Sequence, residues 1–352
     1  MNVRWTVTVL ALCLVASGAA QESASGRLLV LSKGELMLAV VDPSTLQVIG
    51  KVPSGPDPHE VAASGDGRTA FISNYGAGRG GFNTLTVADL VSFKNLPAVD
   101  LGALRGPHGM ESAGGKIYFT AEVNKVIGRY DPAARQIDWV LGTGQDITHM
   151  VVVSKDQRIC TVNVRSGTAS IIEAISAGQP SGGRGGRFAP GADDWTVTSV
   201  KVGEPADDYE GFDVSPDWRE LWTASPRTGR IAIVDIVGKK LVDSVDAGMT
   251  GANRVKFTPD GKRVLVSRLS IPAGAQGGSV VVFDAASRKE IKRIDAGPGV
   301  GGILMQPDGA RAYVAASRDH LVRVIDLKTF EVVGRIDAGR QPDGLAWAVL
   351  QR

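Results

Sequence analysis

GVGGILMQPDGARAYVAASRDHLVRVIDLKTFEVVGRIDAG occupies residues 299–339. Three short apolar runs, 303–305, 312–315 and 321–325, are followed by a fourth at 332–336. Gln-Pro-Asp-Gly separates the first two, and Ser-Arg-Asp-His the next two. Period-two patterning with turn residues every eight to twelve positions, the usual range for such proteins, predicts short antiparallel strands. Four such strands form a small sheet that cannot bury both faces alone.

The unit recurs. The acidic residue that closes its third strand falls at Asp42, Asp89, Asp131, Glu173, Asp235, Asp284 and Asp326. The spacings are 47, 42, 42, 62, 49 and 42 residues, a base period of 42 with three insertions. A four-strand period of about forty residues is the signature of a β-propeller, whose sheets stack radially and bury their faces on one another. Seven copies predict an all-β, seven-bladed β-propeller of four-stranded antiparallel blades. Only three strands precede the first linker, and only one, 344–350, follows the last repeat. Together they complete one blade, so the C-terminal strand is expected to be its innermost strand and the N-terminal three its outer strands. This closure leaves no open blade edge.

Residues 1–20 stand apart. Arg4, the apolar run 5–15 and the small residues Ala16-Ser-Gly-Ala-Ala20 form the pattern of a secretory signal peptide. The chain is therefore expected to be exported, periplasmic or extracellular, with a polar lead-in at 21–26 and a single propeller over 27–352. No later stretch is long and apolar enough to predict a membrane span. The formal net charge of +2 excludes the concentrated basic face that nucleic acid needs. Past the signal segment the chain keeps one cysteine, Cys160, in an apolar run, read as a core residue. Trp195, Trp218 and Trp222 are read as inter-blade packing. Insertions are expected at 76–82 and 272–278 on the upper face, where the chain enters each blade, and at 176–194 on the lower face.

GPHG (106–109), the Pro-Asp-Gly turns, and runs such as IAIVDIVGKKLVDSVDAG (231–248) and VRVIDLKTFEVVGRIDAG (322–339) resemble the YVTN-type forty-residue propeller repeat family. The tetrad stands as FISN (71–74), YFTA (118–121) and YVAA (313–316). The resemblance implies the propeller fold. It borders on lactonase-like and amine-dehydrogenase-like propellers, and a shared fold does not transfer chemistry.

Function is expected at the channel mouth, where the entrances to the inner strands converge. Aligned, these are His59, His108, His149, Glu210, Asn253, Gly301 and Asp343. Three of the chain's four histidines share one repeat position on consecutive blades. Imidazoles and a carboxylate from adjacent strands suit one divalent ion such as zinc, iron, nickel or copper, so His59, His108, His149 and Glu210 are the candidate metal ligands and catalytic residues. Water on such an ion is acidified and can attack a lactone or ester. The competing reading is that these histidines only finish strand entrances. A second ring is read from the loops joining strands two and three: Lys33, Asn74, Glu122, Arg165, Arg227, Arg268 and Arg318. With Arg254, Asn253 and Asp343 it predicts a ligand-binding face for a small anion. Solvated surface pairing is the competing reading. No Gly-x-Ser-x-Gly elbow, phosphate-binding loop or haem-attachment motif is present. Three readings stay open. The first is a binding or scaffold propeller recognising a small anion or an envelope or partner protein; the second, a metal-assisted, lactonase-like hydrolase; the third, a redox partner of the amine-dehydrogenase type.

Overall fold

A computed structural model describes residues 1, 26–77, 80–175, 194–269 and 278–351. Among them are seven four-stranded antiparallel sheets, arranged as the blades of a β-propeller. The acidic residue that marks each repeat has a local role. Asp42, Asp89, Asp131, Asp284 and Asp326 each accept a backbone N–H two or three residues on, at 2.7–2.9 Å, and so fix the turn from the third strand to the fourth. Glu173 departs from this and pairs with Lys239 at 2.6 Å.

The ring closes as the repeat count requires. Pro342–Val349 is the innermost strand of blade seven and pairs with Gly26–Ser32, in the register Leu28↔Trp347 and Leu29↔Ala346. Met37–Asp42 and Gln47–Pro53 complete that blade. The other inner strands are Pro58–Ala63, Pro107–Ala113, Thr148–Val153, Phe212–Val214, Ala252–Phe257 and Val300–Met305, for blades one to six in turn. Each inner strand lies beside that of the next blade, around to blade seven.

The core consists of the apolar layers between blades. Trp222 of blade four is fully buried, with ring centroids 5.8 Å from Phe257 and 6.4 Å from Phe283 of blade five. Trp195 meets Trp139 of blade two at 5.2 Å, and Arg158 of blade three lies over Trp218 at 5.2 Å. All three tryptophans thus pack between blades. Cys160 is fully buried, and burial pushes its thiol up to about 12, so it is an inert core residue.

No helix among the described residues is long and apolar enough to cross a membrane. Apart from Met1, the segment read as a signal peptide lies outside the described residues. So do all but Asp194 of the 176–194 insertion and all but Gly278 of the 272–278 insertion.

Candidate functional site

Two local devices position the channel residues. The first is a register shift at the start of the inner strands. In blade one the pairing jumps from Pro58↔Asn74 to Val61↔Ile72; blades two, three, five and six shift at the matching place. Bulges re-aim side chains, and here the shift spans the ring position itself: His59, His108, His149, Asn253 and Gly301. The N–H freed by the shift finds a hydroxyl on the second strand. Ser73, Thr120 and Ser267 accept from Glu60, Gly109 and Arg254 at 3.0, 2.9 and 3.1 Å. This explains the serine or threonine at the third position of FISN and YFTA.

The second device is a narrow waist one residue further in. Four blades carry glycine there: Gly109, Gly211, Gly302 and Gly344. A Cβ on Gly211 would lie 2.3 Å from the Asn253 carbonyl oxygen, and one on Gly344 2.3 Å from that of His59. Neighbouring inner strands can therefore touch backbone to backbone. The other three positions hold Glu60, Met150 and Arg254, which fill the waist. Arg254 donates to Glu60 across the channel and reaches the Met150 sulfur at 3.0 Å. Both charged side chains are nearly buried, at 14% and 13% exposure. The waist separates an upper cavity of about 480 Å3 from a lower chamber of about 380 Å3.

The whole first ring lines the upper cavity. The histidines form one row: His59 and His108 have centroids 4.8 Å apart, and His108 stacks on His149 at 3.9 Å. Tyr75 stands edge-on to His59 and His108, at 4.8 and 4.7 Å. His149 Nδ1 lies 2.5 Å from Glu122 Oε1, and the Tyr75 hydroxyl donates to Glu122 Oε2. One ligand atom from each of His108, Glu122 and His149 lies within 4.8 Å of the others. His108 is 2% exposed, and its Nδ1 is the buried side-chain nitrogen or oxygen without a hydrogen-bond partner among the described residues. Burial, then the neighbouring histidines, hold His108 well below the usual imidazole range. Burial also pushes His59 down to about 4, against the pull of Asp343. Both are neutral at pH 7. Burial, reinforced by Glu122, raises Tyr75, which stays a hydrogen-bond donor.

The expected carboxylate partner is replaced. Glu210 lines the cavity but accepts from Asn253 Nδ2 at 2.5 Å, while the carboxylate beside the histidines is Glu122. Lys33 Nζ sits 2.5 Å from His59 Nε2 and 3.5 Å from both Asp57 and Asp343.

The basic second ring does not assemble. The residue after the second strand is, on six blades, Lys33, Tyr75, Glu122, Val164, Leu269 and Ser317, of which Lys33, Tyr75, Leu269 and Ser317 line the cavity. Asn74 and Arg268 fall one residue before this position, and Arg165 and Arg318 one after. Asn74 is buried, bonding Thr84 and Thr86, and Arg268 donates to the Thr250 carbonyl. Arg165 is exposed outside the cavity, and Arg227 pairs with Asp208 at 3.5 Å. Of the predicted cations, only Lys33, Arg254 and Arg318 line the cavity. The first two are already paired with carboxylates. Tyr75 was not legible as a site residue, because its position in the repeat carries lysine, glutamate, valine, leucine or serine elsewhere.

No protein-family model matches the chain, and no curated protein matches it in sequence. Solved structures do. A functionally unknown protein from Desulfotomaculum acetoxidans superposes with TM-score 0.69 at 12% identity, over 92% of this chain and 99% of that one. A candidate 6-phosphogluconolactonase from Bacteroides uniformis gives 0.69 at 11%, covering 93% and 100%. The dihydro-heme d1 dehydrogenase NirN, solved in complex with DHE, gives 0.60 at 15%, covering 93% and 76%. At these identities the likeness shows the β-propeller fold alone.

Proposed function

We propose that this chain is an exported binding propeller whose upper channel mouth holds one first-row divalent metal ion on His108 and His149. The observation that carries this reading is the His108 Nδ1 atom, buried without a partner in a row of imidazoles beside a carboxylate. An unmet buried acceptor or donor costs on the order of 1–3 kcal/mol, which an ion at this row relieves. Glu122 orients His149 through Nδ1 and leaves Nε2 for the ion, the carboxylate–histidine arrangement that fixes a ligand's tautomer. Imidazole donors suit zinc and its neighbours rather than calcium or magnesium. An ion held by these residues would offer a coordination position to a small ligand in the cavity, whose recognition by the propeller is the binding function. Cations gather too sparsely to select an anion on their own, so the ion supplies the positive charge. Export is supported by the Arg4 and 5–15 pattern, and the YVTN-type reading by the quoted repeat motifs.

Binding is favoured over hydrolysis because the nearby carboxylates are already engaged. Glu122 is held by His149 and Tyr75, Glu210 by Asn253, and Asp343 by Lys33. None is left free as a general base. The test is calorimetric titration of metal-free, untagged protein with zinc at pH 7.5. About one ion is expected, with a dissociation constant at or below the micromolar range, and His108→Ala or His149→Ala weakens it about 100-fold or more. Absence of uptake, or uptake indifferent to both substitutions, overturns the reading.

A further inference from the structure

The lower chamber has chemistry that the upper site does not use. It opens towards the lower face, where Ser64 and Gly65 line it, and is roofed by Glu60 and Arg254. Its walls are Met110, Phe212, Leu345 and Trp347, with Glu111 and Lys256 among them. The partly buried charges along this half of the channel are three carboxylates, Glu60, Glu111 and Asp213, against two cations, Arg254 and Lys256. Glu60 takes Arg254, and Asp213 takes Lys256 at 3.4 Å and the Phe257 N–H at 2.9 Å. Glu111 is left over. Among the described residues no cation pairs with its carboxylate within 4 Å; Lys256 acts on it only from farther away, and the adjacent Ser112 amide donates to it. The chamber is thus one positive charge short of balance, inside walls of thioether and aromatic surface.

We propose that the lower chamber is a second ligand site, for a small organic cation with an apolar body: a primary amine whose ammonium group meets Glu111. Its body lies on Met110, Phe212 and Trp347, where aromatic faces add cation–π attraction. A metal ion is a poor occupant, because the chamber offers a single unengaged carboxylate and no imidazole. A volume of about 380 Å3 holds a one-ring amine. Burial, opposed by Lys256, pushes Glu111 up to about 7, so the amine also draws a proton off the carboxyl. The charged groups acting on Glu111 are Lys256 and Asp213, with Glu60 and Arg254 lining the same chamber.

The probe is 2-phenylethylamine, titrated into full-length protein by calorimetry beside 2-phenylethanol and 3-phenylpropionate. The amine is expected to saturate one site at least 10-fold more tightly than either isostere. Its binding should strengthen from pH 6 to pH 8 as Glu111 ionises. Glu111→Gln removes both the preference and the pH trend, while His149→Ala leaves them intact and so separates this site from the metal centre. Lys256→Met, which removes the competing cation, tightens amine binding and serves if Glu111→Gln folds poorly. Equal binding of amine and alcohol, no saturable amine binding below about 10 mM, or indifference to Glu111→Gln and Lys256→Met together overturns the proposal.

Discussion

At the upper mouth, the seven inner strands present three histidines, Glu210, Asn253, Gly301 and Asp343. Three residues further along, the same strands present Ala62, Glu111, Val152, Asp213, Lys256, Leu304 and Ala346. That step is about 10 Å of strand. Above it, polar groups touch one another: His149 meets Glu122, Asn253 meets Glu210, and Lys33 bridges Asp57, His59 and Asp343. Below it, Glu111 stands without an ion-pair partner among apolar walls. The difference teaches that one repeat delivers two environments, because the waist of glycines and the Glu60–Arg254 pair divides the channel. The upper end gathers several donors that, on the proposed reading, would share an ion. The lower end is built around one uncompensated carboxyl.

The comparison breaks most completely if the waist is removed. Arg254→Met leaves Glu60 buried without its partner and should cost about 3–5 kcal/mol in denaturant unfolding. Replacing both, as Glu60→Leu with Arg254→Met, should recover most of that loss, since a buried pair exchanged for packed apolar groups is often near neutral. A double variant as unstable as the single would mean that the pair is not the divider. Next in size is Gly211→Ala, whose new Cβ meets the Asn253 carbonyl oxygen at 2.3 Å. Separation of two inner strands should cost about 2–3 kcal/mol, read as a lowered melting temperature. Gly65→Ala, which meets nothing within 4 Å, is the control.

Sharpening the upper end needs a smaller change. Glu122→Gln keeps the shape but weakens the hold on His149, and should lower zinc affinity about 10- to 100-fold with little change in metal-free stability. Glu210→Gln should leave zinc affinity within about twofold, because Glu210 serves Asn253. Equal losses from both would restore Glu210 as a ligand.

The smallest effect belongs to the lower end. Glu111 has its folded pKa raised from 4.5 to about 7. Between those values the folded protein binds the extra proton. The group's contribution is therefore fully present below about pH 4.5 and is lost as pH rises through about 7. Wild type should lose on the order of 1–2 kcal/mol of stability relative to Glu111→Gln between pH 5 and pH 8. A difference that is flat with pH would show that Glu111 titrates normally.

Much of this was legible in the chain. The 42-residue spacing marks an Asp that fixes the same turn in blade after blade, so it reports architecture directly. The count of terminal strands fixed closure, and the alignment of strand entrances placed all seven first-ring residues around one cavity. The second ring was not legible. A loop of variable length hides which residue follows the strand, and an error of one residue turns a side chain from the mouth to solvent or core. Arg165 shows this: it follows buried Val164, the structural equivalent of Glu122, and points to solvent. Basic residues in such loops look like a ring on paper, yet only pairing register decides which of them face the channel. Glu122 in place of Glu210 follows the same logic, since proximity to His149 depends on the bend after the second strand of blade two and not on spacing along the chain.

The most direct test of the proposed metal centre is anomalous diffraction at the zinc edge, on crystals of untagged protein grown with one equivalent of zinc. A single strong peak within about 2.1 Å of a ring nitrogen of both His108 and His149 is the predicted result. A cavity without a peak at full zinc loading, or a peak bound elsewhere while the histidine row stays stacked as described, would contradict the account.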